Sequence, residues 1–483
     1  MSKPEILKLS IPGFTFHDLF IPEKLSELTE KFFKEIKETN GDLFLRFDEY
    51  RSKKGAGFSE IEISNTLTEL APFVSEFVAR LFGVEKELAV HKVRANREKI
   101  IFSFKKDFFV RRALKKVPEE TLGLINLALL DRQVEAILKN SPGLPTDDKE
   151  LALSAFVTDL VKHEIKTKSG FSGSVKTSLI PIADNIRSDD SCKTLIPPDN
   201  DETSMRKFLA SLLQVFEQWI VAHFYNKTES MKDWVIYKLP HTLNYDNLVE
   251  LKIINNPVPN TNVGKEENYR RRNGFDLTDT RYSRREVMGE VDYCIICHQR
   301  GKDSCSKGFH EDNGFKQNPL GYKLAGCPLD QKISESHELM SRGDIIGALA
   351  IIVIDNPMCP GTGHRICNDC MKACIYQKQD PVNIPQIETG VLTDVLNLPW
   401  GFEIYSLLTR WNPLNIDRPY ALPYNGKKVL IVGQGPAGYT LSHYLLNEGF
   451  GVVGIDALKI EPLPLEFTGN GTAPPEPVRD VSV

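Results

Sequence analysis

The chain has 483 residues, 41% apolar and 26% charged, and its 60 Lys+Arg against 65 Asp+Glu give a net charge of −5. That length suits about three domains of ordinary size, and the composition is that of a globular protein. The near-balanced charge gives no global attraction to nucleic acid or anionic membrane, no run approaches the roughly 18 apolar residues of a membrane span, and the N-terminal MSKPEILKLSIPGF lacks the apolar core of a secretory signal. The expectation is a cytoplasmic chain with no nucleic-acid partner and no membrane span.

Residues 1–250 read as a mostly helical N-terminal region. PEKLSELTEKFFKEIKETN sets Leu25, Leu28, Phe32, Phe33 and Ile36 on one helical face. EIEISNTLTELAPFVSEFVARLF is a second helix, expected to be interrupted or kinked near Pro72. RKFLASLLQVFEQWIVAHF repeats the amphipathic pattern with Leu209, Leu212, Leu213, Phe216 and Ile220. Breaks are expected at residues 141–148 and across 168–203, where Gly, Pro and Asp gather. Between Lys92 and Lys116, ten Lys/Arg interleave with Phe102, Phe104, Phe108 and Phe109. This reads as a solvated basic face over a Phe-lined core rather than an anion-docking surface. Arg270, Arg271, Arg272, Arg281, Arg284 and Arg285 form a second basic group, read the same way. The Asn-, Pro- and charge-rich residues 251–289 read as a linker. No residue pattern in this half indicates catalysis.

The nine cysteines are unevenly placed: Cys192 stands alone, and the other eight fall between Cys294 and Cys374. In a reducing compartment such a group points to metal binding rather than to disulfides. CIICHQRGKDSC supplies Cys294, Cys297 and Cys305, and AGCPLD supplies Cys327. CPGTGHRICNDCMKAC supplies Cys359, Cys367, Cys370 and Cys374. Short C-x2-C and C-x3-C spacings let two thiolates reach one metal or one cluster edge. Eight cysteines suit two four-iron clusters of four ligands each. Zinc is the competing reading, but the C-x2-C pairs are much farther apart than the roughly 15–20 residues of a zinc ribbon. Cys327–Pro328 and Cys359–Pro360 also resemble cluster ligation in which Pro follows a ligand Cys. His298, His310 and His364 lie near these cysteines; each could replace a ligand, but they read as ordinary exposed histidines. DQKISESHELMSRGDIIGALAIIVI, inside this region, is helical with a break at Gly343.

The last segment opens with KKVLIVGQGPAGYTLSHYLLNEGFGVVGID. Gly433, Gly435 and Gly438 form G-x-G-x-x-G between a buried-strand pattern and a helix. The first Gly allows the tight turn, the second lets backbone approach a pyrophosphate, and the third permits close strand–helix packing. A second strand ends in Asp456, placed to accept hydrogen bonds from a ribose.

Together, GCPLDQKISESHELMSRGDIIGALAIIVIDNPMCPGTGHRICNDCMKACIY, the later DPVNIPQIE and the GxGPAG turn resemble glutamate synthase small subunits and dihydropyrimidine dehydrogenases. The resemblance covers roughly residues 290–460. It implies a helical domain over 290–425 holding two [4Fe–4S] clusters. One would be bound by Cys294, Cys297, Cys305 and Cys374, and the other by Cys327, Cys359 and Cys370. The remaining ligand would be either Glu388, the family's acid or amide position, or Cys367, whose thiolate is the better iron ligand. Seven residues separate Cys297 from Cys305 and 21 separate Cys305 from Cys327. Both gaps exceed the family's compact spacing, and the longer one begins at Cys305.

Gly433, Gly435, Pro436, Ala437, Gly438 and Asp456 would open a Rossmann-like FAD domain over 426–483. The family's domain is much longer, so the remainder, with the NAD(P)H site, is expected on a missing C-terminal portion or a partner subunit. The whole is expected to be mainly α, ending in the first β-α-β of that α/β domain. The implied function is electron transfer between FAD and an acceptor protein or domain in an NAD(P)H-dependent iron–sulfur oxidoreductase. No residue of this segment is expected to do proton-transfer or nucleophilic chemistry. The alternative is a zinc- or cluster-stabilised interaction module without enzymatic activity.

Overall fold

A computed structural model describes residues 9–139, 147–168, 173–255, 257–266, 269, 273–275, 279–312 and 314–457. Arg270, Arg271, Arg272, most of the break expected at 141–148 and the segment after residue 457 lie outside the described residues.

In chain order the helices are α1 (Pro22–Thr39), α2 (Gly41–Ser52), α3 (Glu60–Phe82), α4 (Glu85–Ser103), the short α5 (Leu114–Lys116), α6 (Leu127–Lys139), α7 (Lys149–Lys168), α8 (Gly173–Ile186) and α9 (Glu202–Tyr225). They continue with α10 (Arg284–Tyr293), the one-turn α11 (Ser304–Lys307), α12 (Ile333–Ser341), α13 (Ile345–Asp355), the one-turn α14 (Cys359–Thr362) and α15 (Asp369–Lys372), α16 (Ile384–Leu396), α17 (Gly401–Leu408) and α18 (Pro436–Asn447). The described strands form three two-stranded sheets. Two are antiparallel, β1 (Lys252–Ile254) with β2 (Thr261–Val263) and β3 (His310–Glu311) with β4 (Gly314–Phe315). The third is parallel, β5 (Lys428–Val432) with β6 (Gly451–Ile455), joined through α18. The protein is therefore mostly helical.

The chain divides into two compact units, residues 1–95 with 240–483, and residues 96–239. The single N-terminal region expected over 1–250 is thus split. The reason lies in α13, IIGALAIIVID, which has no polar face; nine successive residues from Ile345 to Val353 are buried. A helix that is apolar all round must be enclosed all round. The first 95 residues supply part of that enclosure through α3, and the seam carries polar anchors. Ser75 of α3 hydrogen-bonds the buried Asp344, the N-cap of α13, and Ser64 donates to Glu335 of α12 at 2.5 Å. Trp411, fully buried against Phe32 and Phe77, donates from Nε1 to Thr29 at 2.9 Å.

One expected break does not interrupt its helix, and another is shorter than expected, with residues 187–201 outside α-helix. Helix α3 runs unbroken through Pro72. The proline removes only the bond to the residue 68 carbonyl, while Leu67, Leu70, Ala71, Val74 and Phe77 keep the helix anchored on its buried side. Helix α8 lies inside the expected 168–203 break and contains Pro181, held by buried Val175, Leu179, Ala183 and Ile186 at helical spacing. The break at Gly343 is as expected. This residue takes φ +73°, and a Cβ there would meet the His91 carbonyl oxygen at 2.5 Å. The 251–289 segment is not purely a linker, since it carries the β1–β2 hairpin and the first residues of α10.

In the 96–239 unit, Phe102, Phe104, Phe108 and Phe109 are all buried. Helix α4 leads into a π-helical stretch over Phe104–Ala113 that carries three of them. Two of the basic residues show how the charges are paired, Arg111 at the surface and Arg112 largely buried. Arg111 binds Asp107 at 2.9 Å, and Arg112 bridges Glu164 and Glu217. Of the second basic group, Arg281 donates to Thr393 and Arg284 pairs with Asp394 at 3.1 Å.

His91 is bonded to Arg284 and sits 3.8 Å from Asp394. Burial, then the charges of Arg284 and Arg94, push its pKa down to about 4. An unfolded chain protonates the same imidazole near pH 6.5, so between roughly pH 6.5 and 4 the unfolded state binds more protons and stability falls with pH. Above pH 6.5 the contribution is complete. The wild type should therefore lose urea stability faster than H91Q on acidification through this window, and the two should run parallel from pH 7 to 8. Parallel curves throughout would show that His91 titrates normally.

Candidate functional site

Four separate turns deliver the first group of cysteines. Cys294 is the C-cap of α10, Cys297 opens a 3-10 turn, Cys305 lies in α11 and Cys374 follows α15. Between the first two, Ile296 takes φ +51°, ψ 69°. A β-branched residue in the left-handed region is strained by about 1–3 kcal/mol, and such strain gathers where side-chain aim matters. All four thiols line one cavity, with Ile295, Ile375, Val382, Ile384 and Tyr376 as its largely apolar wall. Tyr376 stacks flat on Tyr293, with ring centroids 4.4 Å apart, and donates to the Tyr293 carbonyl at 3.1 Å.

The long gap before Cys327 does not separate it from Cys305. The Cys327 N–H donates to the carbonyls of Cys305 and Ser306 at 2.9 and 3.0 Å, so the intervening residues form an excursion, with β3 and β4 near its tip, that returns to its start.

The second group gathers around Glu388 of α16. Cys359 and Cys370 are buried, Cys327 is partly buried and Cys367 is exposed. Cys370 lies near enough to Cys327, Cys367 and Glu388 for their negative charges to add to the effect of burial on its thiol. Both oxygens of the Glu388 carboxylate are engaged: Gln331 donates at 2.6 Å, Asn356 at 2.9 Å and Thr362 at 3.5 Å. Burial still raises this carboxyl to about 7.

Burial dominates the thiols as well. Cys294 is pushed up to about 12 and Cys297 to about 11, and Cys305 and Cys359 are driven well above the ordinary thiol value. Arg300 acts against the desolvation only at Cys297 and does not overcome it, so these thiols favour the protonated form, and a cationic guest would draw the protons off. Among the described residues, no three of His, Cys, Asp and Glu stand close enough to hold a single metal ion. A cubane offers four metal corners rather than one, so its ligands stand farther apart than those on one zinc ion. Four thiols spaced around a cavity are a donor set that could hold such a cluster.

Four polar residues of α12, Ser334, Glu335, His337 and Glu338, are tied to the first group, and the sequence patterns did not single them out. Ser334, Glu335, Ser336, His337 and Glu338 are all buried. His298 is not the ordinary exposed histidine expected beside Cys297; its ring contacts Ser334 at 2.7 Å and Glu338 at 3.1 Å. Burial disfavours its charge, but the Glu338 bond and the nearby Glu335 and Asp303 hold its pKa above the ordinary value. The Cys305 thiol donates to Asp303 at 3.2 Å, and burial beside Glu335 raises Asp303 to about 7. His337 lines the cysteine cavity. The only sequence signal for this network is a run of five polar residues inside a helix whose neighbours are apolar. His310 is exposed, as expected, and His364 is partly buried, 3.9 Å from Asp279.

In the last segment, the N-terminus of α18 follows the glycine turn, with Gly435 as N-cap and Pro436 and Ala437 in the first turn. Gly433 takes φ +94°, and a Cβ on Gly438 would sit 1.9 Å from the Gly433 carbonyl oxygen, so both positions require glycine. Asp456, just past β6, accepts from the Gln434 N–H at 2.5 Å, which brings the expected ribose acceptor beside the turn. Leu430, Val432, Val453 and Ile455 of the sheet are exposed.

Residues 9–83 match the RP005 N-terminal alpha-helical domain. The chain is 61% identical over 106 residues to protein RP006 of Rickettsia prowazekii, which covers 22% of this chain and 15% of that protein. It is 26% identical over 294 residues to RP005 of the same organism, covering 58% of this chain and 81% of RP005. It is also 30% identical over 125 residues to the glutamate synthase [NADPH] small chain of Mycobacterium tuberculosis, covering 26% of this chain and 22% of the small chain. The chain thus has a partial similarity to an oxidoreductase subunit, and it spans a small fraction of both RP006 and that subunit. None of its described helices is long and apolar enough to cross a membrane.

Iron-free protein gives a direct check on the thiol environments. With iodoacetamide at pH 8, Cys367 should be alkylated at least roughly tenfold faster than Cys305 and Cys359, because it alone is exposed. Peptide mass spectrometry showing Cys305 or Cys359 modified first would contradict the arrangement.

Proposed function

We propose that this chain is the electron-transfer portion of a flavin-dependent, NAD(P)H-linked iron–sulfur oxidoreductase, with two [4Fe–4S] sites and the opening part of a Rossmann-like FAD site. The observation that carries the reading is the convergence of Cys294, Cys297, Cys305 and Cys374 on one apolar-walled cavity, from turns up to 80 residues apart in sequence. The partial similarity to a glutamate synthase small chain supports it. Bound in this protein, clusters would supply one-electron redox chemistry and a flavin would link it to the two-electron chemistry of a nicotinamide.

The chain's own residues would perform the rest. The four thiols would hold one cluster, while Ile295, Ile375, Val382 and Ile384 exclude water and Tyr376 closes the wall, which sets the local dielectric. Cys327, Cys359, Cys367 and Cys370 would hold the other. Cys367 would complete this set, thiolate being the better iron ligand, while Gln331 and Asn356 hold the Glu388 oxygens. Backbone N–H groups at the start of α18 would face a pyrophosphate, with Gly433 and Gly438 permitting the approach and Asp456 accepting from ribose hydroxyls. A parallel sheet is ordinarily covered on both faces. Leu430, Val432, Val453 and Ile455 would therefore be covered by further α/β elements carrying the NAD(P)H site, in continuing sequence or in a partner subunit. A redox acceptor protein or domain would receive or supply the electrons.

Anaerobically prepared protein should be brown, hold about eight iron per chain and give an EPR signal on reduction. C374S and C367S should each reduce iron to about half and remove different EPR features, whereas E388Q should keep both. A colourless protein with stoichiometric zinc would sink the proposal in favour of a structural interaction module. Tight stoichiometric FAD on residues 1–483 alone would refute the need for additional α/β elements.

A further inference from the structure

His337 is the one titratable side chain lining the cysteine cavity that is not itself a candidate ligand or the stacked Tyr376. It sits in the middle of α12, 2% exposed, and among the described residues no group reaches its Nδ1. Its neighbours on the same helix engage protein groups, save the second oxygen of Glu335, which like Nδ1 has no partner among the described residues. Ser334 and Glu338 engage His298, Glu335 accepts from Ser64, and Ser336 bonds back to the Ile333 carbonyl. Polar atoms this deep are ordinarily hydrogen-bonded, so an unsatisfied imidazole nitrogen on a residue that lines the cavity beside four thiols calls for a partner there.

We propose that His337 is a positioning residue that donates a hydrogen bond from Nδ1 to a sulfur of the cluster held by Cys294, Cys297, Cys305 and Cys374, and so raises that cluster's reduction potential. This rests on the proposed two-cluster reading. Reduction adds one electron and no proton, and the added negative charge falls on the iron and its sulfurs. A fixed N–H aimed at sulfur stabilises that charge more than the oxidised form. An imidazole carries an N–H in its neutral form as in its charged form, so a donor is present in either state. The helix holds the ring in place, since α12 is packed against α3, α10, α13 and α16.

The test uses the full chain with both clusters loaded, titrated with dithionite and followed by EPR. H337L removes the donor at similar bulk. H337N returns an amide donor at the position of Nδ1, while H337Q places one at the position of Nε2. Expected is a tenfold less favourable reduction equilibrium in H337L, a 59 mV fall for a one-electron couple. The fall should affect only the cluster that C374S removes. H337N should restore the wild-type potential and H337Q should follow H337L. If wild-type protein binds no iron, the two-cluster reading itself fails. If wild type carries both clusters and H337L shifts neither, shifts both equally or shifts one upward, the His337 assignment alone is overturned. Should H337L not retain its cluster, equal potentials in H337N and H337Q overturn it as well.

Discussion

The enclosure of α13 governs the rest of the 1–95 and 240–483 unit. Nine consecutive buried residues leave that helix no solvent face, so its neighbours are obligatory. Helix α3 arrives from the N-terminal part of the chain, α12 precedes α13 through the Gly343 turn, and α16 returns from beyond the cysteines. The ends of this core are where the chemistry-bearing residues stand. Cys359 lies four positions past Asp355, Glu388 sits on α16, and α12 brings His337 and Glu335 beside the first cysteine group. The Ser75–Asp344 and Ser64–Glu335 bonds fix the register of α3 against both helices, because either carboxylate left without its partner would be a buried, unsatisfied charge.

The same burial keeps the candidate thiols in their protonated form. Desolvation holds Cys294, Cys297, Cys305 and Cys359 protonated, and Asp303 and Glu388 are pushed toward neutrality beside them. A guest that brings several positive charges reverses each of these shifts together, releasing protons as it binds. In the proposed cluster-bound state, ligand loading and the final folding of the loops around Ile296 and Cys305 would then be one coupled event, and the strain at Ile296 would be offset by the bonds it helps to aim.

Much of this was legible in the sequence where the signal was local. The amphipathic faces of α1 and α9, the stop at Gly343, and the strand–turn–helix around Gly433 follow from periodicity and from glycine's backbone range. What was not legible depended on long-range packing. Pro72 and Pro181 looked like breaks, but one missing hydrogen bond is a small loss beside the burial of the residues around each proline. The split of residues 1–250 could not be read because the demand for it comes from α13, some 250 residues further on. The 21 residues between Cys305 and Cys327 looked like a separation, yet two backbone bonds bring their ends together. His298 and His337 were unremarkable because a histidine's burial is decided by the helix that covers it.

The β5–α18–β6 segment is oriented by the helical part rather than by a sheet of its own. Of its strand residues, Ile431 is buried while Leu430, Val432, Val453 and Ile455 are not, so apolar burial contributes little to holding it in place. The Arg418–Glu448 pair at 2.7 Å is too solvent-exposed to contribute much more than a few tenths of a kcal/mol. The fixed points are backbone groups. Leu422 N–H donates to the Asn447 carbonyl at 2.8 Å, Asn425 N–H to that of Gly449 at 2.8 Å, and the Asn447 side chain to the Thr409 carbonyl at 3.1 Å. These bonds tie the C-terminal end of α18 to the strand-like 420–425 run and to the end of α17. The glycine turn at the opposite end of α18 is therefore set relative to α17, and through α17 to α13 and the cysteines, by contacts among the described residues. Any strands added to β5 and β6 would extend a sheet whose direction the helical part has already fixed.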